Sequence, residues 1–113
     1  MTEACVFCRI VAGDIPAPIL VQNDHAVAFR DLDPKAPVHV LVVPKRHVAS
    51  LADCADGLEL GAVMLLVIEV ARREGIAQSG YRTVVNTGSD GGQSVLHLHA
   101  HVMGGRAMSW PPG

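Results

Sequence analysis

Near the C-terminal end of the chain, the stretch HLHAHV sets His97, His99 and His101 at every second position. The chain has six histidines in 113 residues, so half of them fall in this one alternation. Strand side chains alternate between faces, which would line one face with three imidazoles and turn Leu98, Ala100 and Val102 to the other. Three chemistries suit such a row. Neutral imidazole is a common zinc ligand, and a pair at i and i+2 can share an ion. The outer pair is separated by roughly 13 Å of strand, at ~3.3 Å per residue, too far to meet at one ion. A central imidazole could instead attack a phosphorus or acyl centre while its neighbour contacts the oxygens or the leaving group. A hydrogen-bonded structural row is the weakest reading, because Thr or Val serves a sheet face better.

Two further motifs carry chemistry. The stretch NTGSDGGQS places Gly91 and Gly92 just before the histidines. They permit positive φ and close backbone approach, so free N–H groups could form an anion-holding nest, or simply a hairpin loop. Cys5 and Cys8 have zinc-knuckle spacing, but no second C-x-x-C follows, and Cys54 stands alone.

The elements that must position these groups can be read from periodicity. ILVQND and AVAFRDLD read as strands joined by a turn, and HVLVVP as a third strand stopped by Pro44. From Asp56, DGLE offers a D-x-x-E capping pattern. Leu58, Ala62, Leu65, Leu66 and Val70 then trace a helical stripe ending near Gly75. YRTVVN and VLHLHAHVM supply two last strands, and CVFCRIVAG a short helix. One long and one short helix with five strands predict an α+β domain with an antiparallel sheet, spanning residues 1–113 as a single unit.

Composition narrows the field. Half the residues are hydrophobic, 18% are charged and the net charge is −2, which provides no basic footprint for nucleic acid or an anionic membrane. The longest apolar run is about half of a ~18-residue span. The first residues lack the pattern of a signal peptide, and three cysteines argue against a disulfide framework. A cytoplasmic location is the expectation.

HLHAHVM fits the H-φ-H-φ-H-φ-φ signature of the histidine triad (HIT) nucleotide hydrolases and transferases. AFRDLDPKAPVHVLVVPKRH, YRTVVNTGSDGGQSV and the closing GGRAMSWPPG resemble, within that superfamily, the branch of histidine triad nucleotide-binding proteins. The resemblance covers Cys5 to Gly113. It implies a five-stranded antiparallel sheet continued across a homodimer, and hydrolysis of the P–N bond of AMP or GMP phosphoramidates. It also leaves two other trades open: dinucleoside polyphosphate hydrolysis, and nucleotide or partner binding with incidental turnover.

The resemblance implies roles position by position. His99 would be the nucleophile, held in its tautomer by the His97 carbonyl, with His101 contacting phosphate and leaving group. His39 would be a further active-site histidine, and Asn86, Ser94 and the Gly92 backbone would lie about the phosphate. Asp31 would accept the ribose hydroxyls, and Val6, Phe7, Ile10, Phe29 and Leu32 would wall the base. Trp110 would reach the partner's active site. Catalysis would need no cofactor, but Cys5, Cys8, His47 and His97 would hold a structural zinc, as in some HIT proteins.

Overall fold

The computed structural model describes residues 4–113. Helix α1 (Val6–Val11) is followed by β1 (Ile19–Gln22), β2 (Ala26–Arg30) and β3 (Val38–Pro44). A 3-10 turn at Leu51–Asp53 leads into α2 (Gly57–Arg73), and then β4 (Tyr81–Val84) and β5 (Ala100–Gly104) complete the chain. The strands form one antiparallel sheet in the order β1-β2-β3-β5-β4. This is the expected α+β architecture.

The period-2 alternation divides the sheet into two dry faces. On one, Ala26, Ala28, Val40, Val42, Ala100 and Val102 pack beneath α2 through Val63, Leu66, Val67, Val70 and Ala71. On the other, Val27, Phe29, Leu41 and Val43 meet Phe7 and Ile10 of α1. The small side chains on the first face let a long helix lie close. The second face leaves its β5 half to the histidines.

Two sequence expectations are corrected. Leu58 and Leu65, expected on the buried stripe, are 70% and 66% exposed, whereas Glu59, Val63, Val67 and Ala71 point inward. The core-facing stripe is rotated because Glu59 is buried. Its carboxylate does not close a capping box but takes two hydrogen bonds from Arg46, Nη2 to Oε1 at 2.7 Å and Nε to Oε2 at 3.1 Å. Asp56 alone caps α2, accepting from the N–H groups of Leu58 and Glu59. The rotation predicts opposite outcomes at adjacent positions. Leu66→Ala should destabilise the fold by about 2–5 kcal/mol, whereas Leu65→Ala should stay within about 0.5 kcal/mol, as urea melts would measure.

The second correction concerns the histidine strand, which pairs regularly only from Ala100. Register places Val42 opposite Ala100, so Leu98 falls opposite Pro44, which has no N–H to continue the ladder. The Leu98 N–H turns to the Val48 carbonyl instead, at 2.6 Å. His97 and His99 therefore sit in an extended segment leading into β5.

Candidate functional site

Freeing the Pro44 carbonyl from the ladder has a consequence for His97. Its Nε2–H donates to that oxygen at 2.9 Å, which turns a bare Nδ1 toward the two thiols of α1. Nδ1 lies 3.3 Å from Cys5 Sγ and 3.5 Å from Cys8 Sγ, and His47 Nδ1 lies 3.2 Å from Cys8 Sγ. Ligand atoms of all four residues fall within 4.8 Å of one another. Around a tetrahedral zinc with bonds near 2.3 Å to sulfur and 2.05 Å to nitrogen, S···N separations are about 3.6 Å. The donor set, its spacing and the carbonyl behind His97 fit such an ion. Burial, and then the neighbouring Cys5 thiol, push the Cys8 thiol up to about 11. A divalent cation would reverse that and release the protons.

The same residue serves the neighbouring imidazole through its backbone. His99 Nδ1 lies 2.7 Å from the His97 carbonyl oxygen, which can only accept, so Nδ1 carries a proton and the neutral tautomer has its lone pair on Nε2. His99 is 4% exposed and packs edge-on against Phe7, centroids 5.1 Å apart. Phe7 also meets His97 and Phe29 edge-on, at 5.9 and 5.5 Å. One aromatic ring thus wedges both histidines and the apolar wall into position.

A second chain of tautomers fixes His101. The Lys35 backbone N–H donates to His39 Nδ1 at 2.9 Å, so His39 carries its proton on Nε2. That proton points at His101 Nδ1, 2.9 Å away, and at Asp31 Oδ2, 3.4 Å away. His101 therefore holds its own proton on Nε2, an atom buried without a partner among the described residues. Asp31, His39 and His101 could be mistaken for a metal site, but the Lys35 N–H leaves His39 Nε2 protonated and unavailable as a ligand.

Electrostatics agree with neutral rings. Burial lowers the His39 pKa, against the pull of Asp31. Burial, then the neighbouring His99 and His39, lower that of His101 from 6.5 to about 4. Between pH 6.5 and about 4 an unfolded chain takes up a proton that folded His101 refuses, so this group costs stability progressively as pH falls through that window. Tm should consequently fall less between pH 6.5 and 4.5 in His101→Asn than in the wild type; parallel losses would contradict the assignment.

The other expected site residues are distributed unevenly. Asn86 lines a cleft of about 340 Å³ together with His39 and His101. Ser94 lines a separate one of about 390 Å³ with Cys5, Val6 and His47. Gly91 is required sterically, since a Cβ there would lie 2.3 Å from the Thr87 carbonyl oxygen, and Gly92 has φ 76°. Of the two readings of this stretch, the loop is the one formed at Gly92 and Gln93, whose N–H groups donate to the Ser89 and Gly88 carbonyls and so are not free for a nest. Phe7, Ile10 and Phe29 are buried, whereas Val6 and Leu32 are 40% and 90% exposed. Asp31 is fixed by the Asp33 N–H on Oδ1. Trp110 is 82% exposed, on a tail tied down by Arg82 through the Ser109 carbonyl.

Sequence reasoning missed the two main-chain groups that set the tautomers, the Lys35 N–H and the Pro44 carbonyl, because backbone atoms carry no residue signature. It also missed Arg82 and Arg106, which line the cleft beside His101. For Arg82 a signal existed, since it shares the parity of Val84, the cross-strand partner of His101.

Known proteins place this arrangement. The HIT domain family matches residues 12–108. An uncharacterized HIT-like protein of Synechococcus elongatus is 47% identical over the full length of both chains. A HIT family hydrolase from Legionella pneumophila superposes with a TM-score of 0.92 at 43% identity, covering 96% of this chain and 99% of that one. A histidine triad nucleotide-binding protein from Candida albicans gives 0.84 at 28% identity, covering 96% and 83%. With its triad, its sheet and its sequence all in agreement, this chain belongs to the HIT domain family.

Proposed function

We propose that the protein is a nucleotide hydrolase that cleaves the P–N bond of purine nucleoside 5′-phosphoramidates through a nucleotidylated His99. The observation that carries this reading is the 2.7 Å contact from His99 Nδ1 to the His97 carbonyl, which in the neutral imidazole puts the proton on Nδ1 and leaves the Nε2 lone pair available. That lone pair forms a bond to the α-phosphorus as the P–N bond breaks, its electron pair leaving with the nitrogen. The nitrogen departs as an amine, taking a proton from water. A second water then displaces His99, its oxygen completing the nucleoside monophosphate and its released proton neutralising the hydroxide left by the first. His101 acts from the neutral state: its Nε2–H hydrogen-bonds a phosphoryl oxygen where charge accumulates. His39 holds His101 in that tautomer, and Asn86, Ser94 and the Gly92 loop border the phosphate.

Asp31 presents Oδ2 to the ribose, and Phe7, Ile10 and Phe29, with Val6 and Leu32 at the rim, receive the base. Exposure of Trp110 favours a homodimer in which this tail meets the partner's site. Cys5, Cys8, His47 and His97 hold a structural zinc that supplies a fixed cation clamping α1 to the histidine segment and takes no part in the reaction. A cytoplasmic setting suits the free thiols.

Steady-state turnover of adenosine 5′-phosphoramidate, with diadenosine tetraphosphate in parallel, tests the assignment. Faster P–N cleavage is expected. Preferential cleavage of the dinucleotide would make this a polyphosphate hydrolase, and AMP binding without turnover of either would make it a binding protein.

A further inference from the structure

The two imidazoles that face the thiols are held in different ways. His97 is fixed from behind, with Nε2–H on the Pro44 carbonyl at 2.9 Å, the outer contact that orients a metal-bound histidine. His47 turns Nδ1 to Cys8 Sγ at 3.2 Å and meets the His97 ring edge-on, centroids 5.0 Å apart. Its Nε2 has no hydrogen-bond partner among the described residues, and the ring borders a cleft of about 390 Å³. The aim of His47 therefore depends on the backbone that carries it.

That backbone leaves the sheet at Pro44 and is pinned on both sides of His47. The Lys45 N–H donates to the His25 carbonyl at 2.8 Å, and the Val48 carbonyl accepts from the Leu98 N–H at 2.6 Å. Between these two points the anchor is a side chain. Arg46, the residue before His47, forks onto Glu59 of α2, with Nη2 to Oε1 at 2.7 Å and Nε to Oε2 at 3.1 Å. Two parallel bonds from a planar guanidinium fix direction as well as distance. The third cysteine belongs to this anchor, since Cys54 Sγ lies 3.9 Å from Glu59 Oε1 and outside the Cys5, Cys8, His47 and His97 cluster.

Stability alone does not account for a carboxylate that is 4% exposed. Exchanging a buried ion pair for apolar residues of similar volume is often neutral or stabilising. What this pair supplies is geometry. α2 packs on one face of the sheet, and α1, which carries Cys8, packs on the other. The Arg46–Glu59 fork ties the segment bearing His47 to α2, so the metal ligand on one side of the sheet is referenced to the main core on the other.

We propose that Glu59, acting through Arg46, is a positioning residue for the metal site: it holds residues 45–47 so that His47 faces the thiols, and thereby sets the affinity for zinc. Glu59 and Arg46 act through His47 and are not themselves ligands. The proposal rests on the zinc reading above and names the residue pair that completes the site.

The experiment titrates the metal-free wild type, Glu59→Gln and Arg46→Lys with Zn2+ against a chromophoric chelator, and with Co2+ to read the thiolate and imidazole ligands by visible absorption. Glu59→Gln keeps the shape but sets an amide N–H against the guanidinium. Arg46→Lys keeps the charge but loses the fork. Each should weaken Zn2+ binding on the order of tenfold, the lower end of what a lost outer-shell partner costs, and weaken the Co2+ bands. The gain in Tm on adding zinc should shrink in both variants, whatever their metal-free Tm. If Glu59→Gln does not fold, Arg46→Lys decides alone, because Glu59 there keeps a cation. An ion pair that only stabilises the fold would lower Tm equally with and without zinc and leave affinity and the Co2+ spectrum unchanged. That result would overturn the positioning role while leaving the zinc site standing. A wild type that takes up neither Zn2+ nor Co2+ would overturn the zinc reading and the proposal together.

Discussion

His99→Ala should lower kcat for an adenosine phosphoramidate by at least about 10³-fold, the scale on which enzymes lose activity when a nucleophile is removed, while affinity for AMP changes little. The asymmetry follows from the site. In the proposed site Asp31, the Phe7 wall and the His101 Nε2–H would remain to hold the nucleotide, and the one other backbone-fixed lone pair of the triad, on His97 Nδ1, faces the Cys5 and Cys8 thiols instead. Because His99 is buried against Phe7, Tm must be followed alongside kinetics, and AMP binding by calorimetry shows that the site is still formed. A variant that binds AMP and keeps a tenth or more of its turnover would remove His99 from the role assigned to it.

Purified protein should contain one zinc per chain, and stripping it should lower Tm by about 15 °C. That figure takes ~4 kcal/mol of linkage stabilisation, for free metal about a thousandfold above its dissociation constant, at ~4 °C per kcal/mol for a chain of this size. Cys8→Ser and His47→Ala should each lose the metal and the stabilisation together. Nucleotide affinity should weaken as well, because α1 carries both Cys8 and Phe7, and Phe7 edges against His97 and His99. Metal-free protein whose Tm ignores chelators would leave Cys5 and Cys8 as two packed thiols and nothing more.

Much of this architecture was legible in the sequence because one-residue signals carry it. Alternation marks the strands, Asp56 marks the start of α2, and HLHAHV marks the site. What escaped depends on groups that a side-chain pattern cannot register. The phase of α2 was hidden by Glu59, a carboxylate that enters the interior only because Arg46, thirteen residues earlier, meets it there. The irregular start of the histidine segment comes from the missing N–H of Pro44 on a strand more than fifty residues away, visible only once register is known. The alternation by itself does not tell three imidazoles apart; in the sequence only the family resemblance gives them separate roles. His97 turns its ring to the thiols and its carbonyl to His99, His99 keeps a free lone pair, and His101 is left as a donor by a relay that begins at a backbone amide.

The account depends on two successive displacements at phosphorus, and the configuration of the product reports them directly. An adenosine phosphoramidate made chiral at phosphorus with sulfur should be hydrolysed in isotopically labelled water with overall retention, one inversion as His99 enters and a second as water expels it. Net inversion would mean that water attacks phosphorus directly, and His99 would then not be a covalent catalyst.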